Sequence, residues 1–182
     1  MEFALSSDQQ ALQEGVRRFC AERLSVDRLR ELERTGVDAD LWGAYAEMGV
    51  LGLRMPERLG GVGLGMTEGV LVFEELGRCV APGPLLWSHL ASGLVEGVET
   101  GEVIVTGLDL RRDHGQGFVV EHLEGADVIL ALREDGVERL DRSSLETTPV
   151  TQGLDPLTPV SRLGRVPRGC LLYTSPSPRD RG

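Results

Sequence analysis

Residues 55–65 read MPERLGGVGLG, and residues 73–78 read FEELGR. The glycines of the first segment indicate a tight loop, and apolar residues at helical spacing after it predict a helix that ends near Cys79. A Rossmann turn would need GxGxxG between a strand and a helix, whereas this segment reads GGxGxG. A P-loop would need Lys and then Ser or Thr, where Met66 and Thr67 stand. We therefore interpret the glycines as a structural turn into a helix that Thr67 caps.

The residues on either side of this loop-helix unit also carry helix signals. Apolar side chains recur at three-and-four spacing, and capping residues stand at the expected starts and stops. The predicted features are a capping box at Ser6 and Gln9, a helix from Val26 to Thr35 that Gly36 ends, a third helix capped by Asp38 or Asp40, and a fifth helix from about Leu85 to Val95.

The second half of the chain changes to short segments rich in Val, Ile and Leu. Turn signals separate them, as expected for strands. The predicted strands are Glu102 to Leu108, Phe118 to His122, Asp127 to Leu132, Val137 to Leu140 and Leu145 to Thr151. Helices followed by strands favour an α+β fold, with an N-terminal all-α helical domain and then an incomplete antiparallel β domain. We place these domains at residues 1–100 and 101–169.

Residues 170–182 differ in composition and pattern from the rest of the chain, because they are rich in Ser and Pro and show no periodicity. One back-translation of Cys170 to Asp180 resembles a transposon adapter used in DNA library preparation. We interpret this tail as a sequencing or assembly artefact, and expect the natural coding sequence to continue beyond Gly169. A natural Ser/Pro-rich linker is the alternative.

Composition excludes several classes of function. The net charge of −10 disfavours nucleic acid, whose phosphates need a surplus of Lys and Arg. No apolar run reaches the ~20 residues of a membrane span. The N-terminus has no secretory signal, and the distant Cys20, Cys79 and Cys170 support neither disulfides nor zinc. These features predict a cytoplasmic protein.

The three histidines are the candidates for metal ligands or catalytic groups. His89, His114 and His122 show no metal-ligand spacing, so no metal site is predicted. Spacing alone supports no Ser/His/Asp arrangement either. From the residues themselves, the sequence indicates a helical domain followed by strands and no assigned chemistry.

Taken together, the quoted segments resemble the acyl-CoA dehydrogenases. In that family a PExxGGxG loop leads into a helix ending EELGR, as at residues 55–65 and 73–78. Residues 3–12, 42–53 and 154–160 are also similar to family segments, so the resemblance covers about residues 1–165. It implies a helical N-terminal domain, a β-barrel-like middle domain and a C-terminal four-helix bundle. It also implies FAD and the removal of two hydrogens from an acyl-CoA thioester.

The resemblance implies different things for the catalytic base and for the flavin site. The glutamate that abstracts the α-proton lies in the C-terminal bundle in most of the family, so no catalytic residue is assigned here. The family's flavin-holding motif, TEPxxGSD, matches this chain only at Thr106, and the later Trp-x-Thr is absent. We therefore expect Thr106 to be the one cofactor-binding residue, and FAD binding by this chain alone to be weak. Such loss is typical of degenerate partners in heteromeric family members.

The helix after Pro84 is the last feature that the resemblance bears on. In the family this helix helps to line the acyl pocket, and Leu85, Ser88 and His89 would share one of its faces. We expect these residues to bind substrate, with plain core packing as the alternative.

Three functions remain open. The first is an acyl-CoA dehydrogenase-like subunit, truncated and inactive alone, that belongs to a homo- or hetero-oligomer. The second is a non-catalytic partner of a heteromeric acyl-CoA dehydrogenase, and the third is an unrelated helical interaction module.

Overall fold

In the computed structural model, the described residues are 4–111, 117–151 and 153–174, and they form helices first and strands afterwards. The described helices are α1 (Ser7–Arg23), α2 (Val26–Thr35), α3 (Ala39–Glu47), α4 (Met66–Arg78) and α5 (Leu85–Ala91). The described strands are β1 (Val105–Asp109), β2 (Phe118–Glu121), β3 (Val128–Arg133), β4 (Gly136–Leu140), β5 (Thr147–Pro149), β6 (Val160–Leu163) and β7 (Cys170–Thr174). The predicted α+β class is confirmed.

Local capping signals account for the helix boundaries near the N-terminus. The hydroxyl of Ser6 accepts the Gln9 amide at 3.2 Å, and the Gln9 side chain accepts the Ser6 amide at 3.1 Å, which confirms the capping box. Helix α2 has the predicted bounds and ends at Gly36, whose φ is 77°. Asp38 caps α3 by accepting the amide of Leu41 at 2.9 Å.

Two predicted helix boundaries were wrong. Thr67 lies inside α4 and does not cap it, because the chain turns at Gly65 and the Glu68 carboxylate accepts the Gly65 amide at 3.1 Å. Helix α5 ends at Ala91 and not near Val95, because the chain enters a turn in which Gly93 has a φ of 81°. In both cases a glycine next to the predicted boundary sets the end of the helix.

The helices enclose one apolar core. Helix α1 packs along α4, and the tightly buried residues include Cys20, Leu32, Tyr45, Leu51 and Leu76. Cys20 therefore behaves as a small core hydrophobe, as free buried cysteines usually do.

The strands form two sheets, with orders β1-β3-β4-β7 and β2-β6-β5. The described pairings are antiparallel except one, since β1 and β3 run parallel with Val105 opposite Val128. This parallel pair departs from the expected antiparallel domain. Its cause is the path of the chain, which leaves β1, forms β2 in the other sheet and returns as β3 in the same direction.

The ends of the β region bear on the predicted domain limits. The last described helix ends at Ala91 and the first described strand starts at Val105, so the limits at residues 100 and 101 stay a prediction. Cys170–Thr174 pairs with β4 as an edge strand, and its five residues are all exposed. The artefact interpretation of residues 170–182 stays a prediction, and residues 175–182 lie outside the described residues.

Candidate functional site

The glycine-rich loop is closed by its own backbone. The amides of residues 60–65 all donate to acceptors within residues 52–68, including Gly61 to Pro56 O at 3.2 Å and Gly63 to Met55 O at 2.9 Å. Because these amides are engaged, the loop has no cradle of free N–H groups for a phosphate. The interpretation of the glycines as a structural turn is confirmed.

Gly61 shows why this turn needs glycine. A Cβ at that position would lie 2.1 Å from Met55 O, far inside van der Waals contact. The backbone of residues 52–55 therefore approaches the loop too closely for any side chain.

The helix that follows the loop carries a buried carboxylate. The side chain of Glu75 is 2% exposed and receives two hydrogen bonds from Arg17 in α1, at 2.9 and 2.7 Å. The hydrogen bonds from Arg17 lower the pKa of Glu75 against the opposing effect of burial. The ionised Glu75 therefore ties α4 to α1 through Arg17, which lies 58 positions away in the sequence.

Ser88, one of the predicted substrate-binding residues, joins α5 to β1. Its hydroxyl donates to Val105 O at 3.1 Å and accepts the Val105 amide at 3.1 Å. Ser88 is fully buried and Leu85 is 6% exposed. The same hydroxyl thus satisfies both backbone groups of one strand residue.

His89, the third residue of that predicted face, is buried in the helical core. Its Nδ1 lies 3.1 Å from Val50 O, and its ring centroid lies 5.1 Å from that of Phe73 in an edge-to-face arrangement. Burial lowers the pKa of His89, so the ring is neutral at pH 7. The predicted face of Leu85, Ser88 and His89 therefore points into the protein, and its role in substrate binding stays a prediction.

A different face of α5 is open to solvent. Leu86 is 56% exposed and Leu90 is 51% exposed, and Leu94, just beyond the helix, is 42% exposed. Their four-residue spacing is a signal that was present in the sequence, although spacing alone does not say which of two apolar faces is buried.

Thr106 was the predicted cofactor-binding residue, and its hydroxyl is engaged inside the protein. It donates to Glu121 O in β2 at 2.6 Å, and the residue is fully buried. The next residue, Gly107, lies under the Trp87 ring, since a Cβ there would meet Trp87 Cε3 at 2.6 Å. Thr106 is therefore buried with its hydroxyl donating to Glu121 O, and its role in cofactor binding stays a prediction.

Several other expectations concern residues or features away from β1. Residues 112–116, including His114, lie outside the described part of the chain. Among the described residues, no group of three or more His, Cys, Asp or Glu is placed to hold a metal ion. None of the described helices combines the length and the apolar character that a membrane crossing requires.

Comparison with known proteins identifies the helical region. The family model described as "Acyl-CoA dehydrogenase, N-terminal domain" matches residues 6–98. Benzylmalonyl-CoA dehydrogenase of Aromatoleum aromaticum is 35% identical over 78 residues, which are 43% of this chain and 21% of that protein. The chain therefore aligns with about a fifth of the length of this relative.

Solved structures extend the likeness into the β region. A variant of the Tcur3481-Tcur3483 steroid ACAD is 25% identical, with a TM-score of 0.62 over 90% of this chain and 56% of its own. The ChsE4-ChsE5 complex of Mycobacterium tuberculosis is 17% identical, with a TM-score of 0.66 over 94% of this chain and 59% of its own. The second likeness is one of fold alone. With residues 6–98 matching the family's N-terminal domain, the chain belongs to the acyl-CoA dehydrogenase family.

Proposed function

We propose that this chain supplies the N-terminal scaffold of an acyl-CoA dehydrogenase-type oxidoreductase subunit and is inactive by itself. The observation that carries the proposal is the family's N-terminal domain at residues 6–98, followed by strands that continue the likeness to solved family structures. In such a subunit the helical core, the closed loop at residues 60–65 and the Glu75–Arg17 tie form a rigid wall.

The proposed reaction is FAD-dependent α,β-dehydrogenation of an acyl-CoA thioester. Its proton-abstracting glutamate belongs to the C-terminal bundle that the family resemblance implies, so no residue of this chain is assigned to catalysis. The proposed contribution of this chain is positional, through helix α5, which is fixed to β1 by the two hydrogen bonds of Ser88.

A second candidate is a non-catalytic partner subunit that completes a flavin-bearing subunit. It is favoured by the surroundings of β1, where the Thr106 hydroxyl already donates to Glu121 O and the Trp87 ring covers Gly107. Two structural neighbours, ChsE4-ChsE5 and Tcur3481-Tcur3483, are named as pairs, which supports an assembly of family subunits.

The first test measures flavin and activity in the purified 182-residue chain. We expect no flavin absorbance and no reduction of an artificial electron acceptor with acyl-CoA substrates of several chain lengths. Stoichiometric flavin that survives gel filtration would overturn the assignment of an inactive scaffold.

The second test separates the two candidates in a co-expressed complex with the protein encoded by the neighbouring gene. Thr106→Val removes the hydroxyl but keeps the shape of the side chain, and Thr106→Ser retains the hydroxyl as a control. For a partner subunit we expect both variants to retain the flavin content and kcat of the complex. Loss of flavin in Thr106→Val with rescue by Thr106→Ser would instead place a flavin site on this chain.

A further inference from the structure

Helices α1 and α4 run side by side in the same direction, and one row of contacts joins them. Gln9 in α1 donates to Glu68 in α4 at 2.8 Å. Further along both helices, Gln13 and Arg17 donate to Glu75 at 3.3 and 2.7 Å. The partners in these three contacts are 59, 62 and 58 positions apart in the sequence. Because this offset is nearly constant, a residue of α1 on this row faces the residue about 59 positions later in the chain.

The next contact in this row brings two cysteines together. Cys20 lies about one turn beyond Arg17, and Cys79, which directly follows α4, has the same offset from Cys20 as Glu68 has from Gln9. The two thiols share a hydrogen bond, and both side chains pack in the apolar core of the helical region. The fold therefore makes neighbours of two cysteines that are far apart in the sequence.

Backbone hydrogen bonds hold the chain around Cys79. The Cys79 amide donates to Leu76 O at 3.2 Å, and the Ala81 amide donates to the same oxygen at 3.0 Å. Val80 between them has a φ of 53°, which is unusual for a β-branched residue and persists only where the surrounding structure imposes it. The backbone that carries the Cys79 side chain is therefore held firmly next to Cys20.

The two thiols differ in how a dissolved oxidant can reach them. Cys20 is 1% exposed, whereas Cys79 is only partly buried. Burial and the hydrogen bond with Cys79 raise the pKa of Cys20 to about 12, so the Cys20 thiol stays protonated at neutral pH. A reaction with a dissolved oxidant therefore begins at Cys79, and Cys20 reacts afterwards with the group that Cys79 then carries.

We infer that Cys20 and Cys79 are a site of oxidative modification, where a low-molecular-weight disulfide converts the two thiols into a reversible disulfide between α1 and the end of α4. This site goes beyond the proposed dehydrogenase role and does not rest on it, because it uses none of the residues discussed for FAD or acyl-CoA.

The reaction consists of two thiol–disulfide exchanges. The Cys79 thiolate attacks one sulfur of the small disulfide, whose S–S bond breaks, and one small thiol leaves with the proton that Cys79 has lost. The Cys20 sulfur then attacks the Cys79 sulfur and gives its proton to the second small thiol as that thiol departs. Two protein thiols are thereby oxidised to one disulfide, and the small disulfide is reduced to two thiols. Because the second step is intramolecular, the proximity of the sulfurs offsets the high pKa of Cys20.

The test treats the full chain carrying Cys170→Ser with oxidised glutathione and maps its cysteines by mass spectrometry of a non-reduced digest. The substitution removes the third cysteine, which is exposed in β7 and would react independently. We expect one linked peptide pair that contains Cys20 and Cys79, no lasting glutathione on either residue, and the return of both thiols with dithiothreitol. The oxidised chain should melt about 5 °C or more above the reduced chain, because the bond closes a long loop in the unfolded state.

Two alanine substitutions in the same background form a matched pair. In Cys20→Ala we expect glutathione to remain on Cys79, because no second thiol is present to displace it. In Cys79→Ala we expect Cys20 to react at least about tenfold more slowly than Cys79 does in Cys20→Ala, because burial shields Cys20 from the solvent. Circular dichroism and the melting curve show whether each variant is folded.

Three results in the Cys170→Ser chain would overturn the inference, whatever the alanine variants do. The first is glutathione that stays on Cys79 while Cys20 is present, because the two sulfurs would then not meet. The second is a Cys79 that does not react or that links two chains to each other. The third is an oxidised chain that melts no higher than the reduced chain, which would show that the bond strains the contact between α1 and α4.

Discussion

Among the described residues, the helical region and the β region each bury one carboxylate, but they hold it in different ways. Glu75 in α4 is 2% exposed and is paired by Arg17, which is itself 55% exposed. Glu138 in β4 is 4% exposed and is held by Arg133, which is only 18% exposed, by Arg168 and by the Gly169 amide. In the first pair the arginine is largely exposed to water, whereas the second network combines the mostly buried Arg133 with Arg168, which is 66% exposed. Both regions also have apolar cores, so the contrast lies in the arginines: without its carboxylate Arg133 would be left mostly buried, whereas Arg17 would not.

The largest expected effect comes from breaking the β-region network. Glu138→Gln removes the charge that neutralises Arg133 and Arg168, and Arg133 would stay buried without a counter-charge. We expect the free energy of unfolding to fall by about 4 kcal/mol. Urea unfolding followed by circular dichroism measures it, with the exposed Glu134→Gln on the neighbouring turn as the control. A loss under about 1 kcal/mol would contradict the contrast between the two regions.

The same carboxylate should make the chain sensitive to acid. Burial alone would raise the pKa of Glu138, but Arg168, the Gly169 amide and Arg133 outweigh it and lower the pKa to about 2 from its ordinary 4.5. The unfolded chain therefore takes up this proton first, and stability present above pH 4.5 is lost as the pH falls towards 2.

The acid effect is measured as the difference between the native chain and Glu138→Gln in urea unfolding across that pH range. We expect the native chain to lose about 3 kcal/mol more than the variant between the two ends. Parallel pH curves for the two proteins would show that Glu138 is not the titrating group.

In the helical region the most sensitive position is a backbone contact and not a charge. Gly61→Ala would drive a Cβ to within 2.1 Å of Met55 O, and we expect a loss of about 3 kcal/mol in thermal or urea unfolding. Gly77 in α4 is the matched control, since a Cβ there meets nothing within 4 Å. Gly77→Ala should stabilise the helix by up to about 1 kcal/mol. Equal effects of the two substitutions would mean that the loop can relax away from Met55.

The regions also differ in how far the sequence predicted them. Helix α2 was predicted at its exact bounds because its cap and its stop, Ser25 and Gly36, act on neighbouring residues. The parallel pairing of β1 with β3 was missed because it joins residues 23 positions apart, such as Val105 and Val128, through a strand in the other sheet. Sequence signals that act between neighbouring residues do not specify which distant strands pair with one another.

For the predicted substrate-binding face, the sequence showed which residues share one side of α5 but not which way that side points. Spacing grouped Leu85, Ser88 and His89 correctly on one side of α5, and the structure turns that side inward because Ser88 binds the backbone of Val105. Thr106 was placed in β1 as expected, but its partner, Glu121 O, comes from a strand in the opposite sheet. Which groups a hydroxyl meets across two sheets is set by tertiary packing, and no motif at Thr106 could reveal it.

The smallest expected effect is the helical counterpart of the Glu138 experiment, and it completes the comparison. In Glu75→Gln the freed Arg17 can return its guanidinium to water, because it is already 55% exposed, and the amide can still accept one of its hydrogen bonds. We expect a loss of about 2 kcal/mol, roughly half of that for Glu138→Gln. The control is Glu74→Gln, an exposed neighbour that pairs with Arg78 at 2.7 Å and should cost under about 1 kcal/mol. If Glu75→Gln proved as damaging as Glu138→Gln in the same urea titration, exposure of the arginine would not decide the strength of these ties, and the burial of the carboxylate alone would.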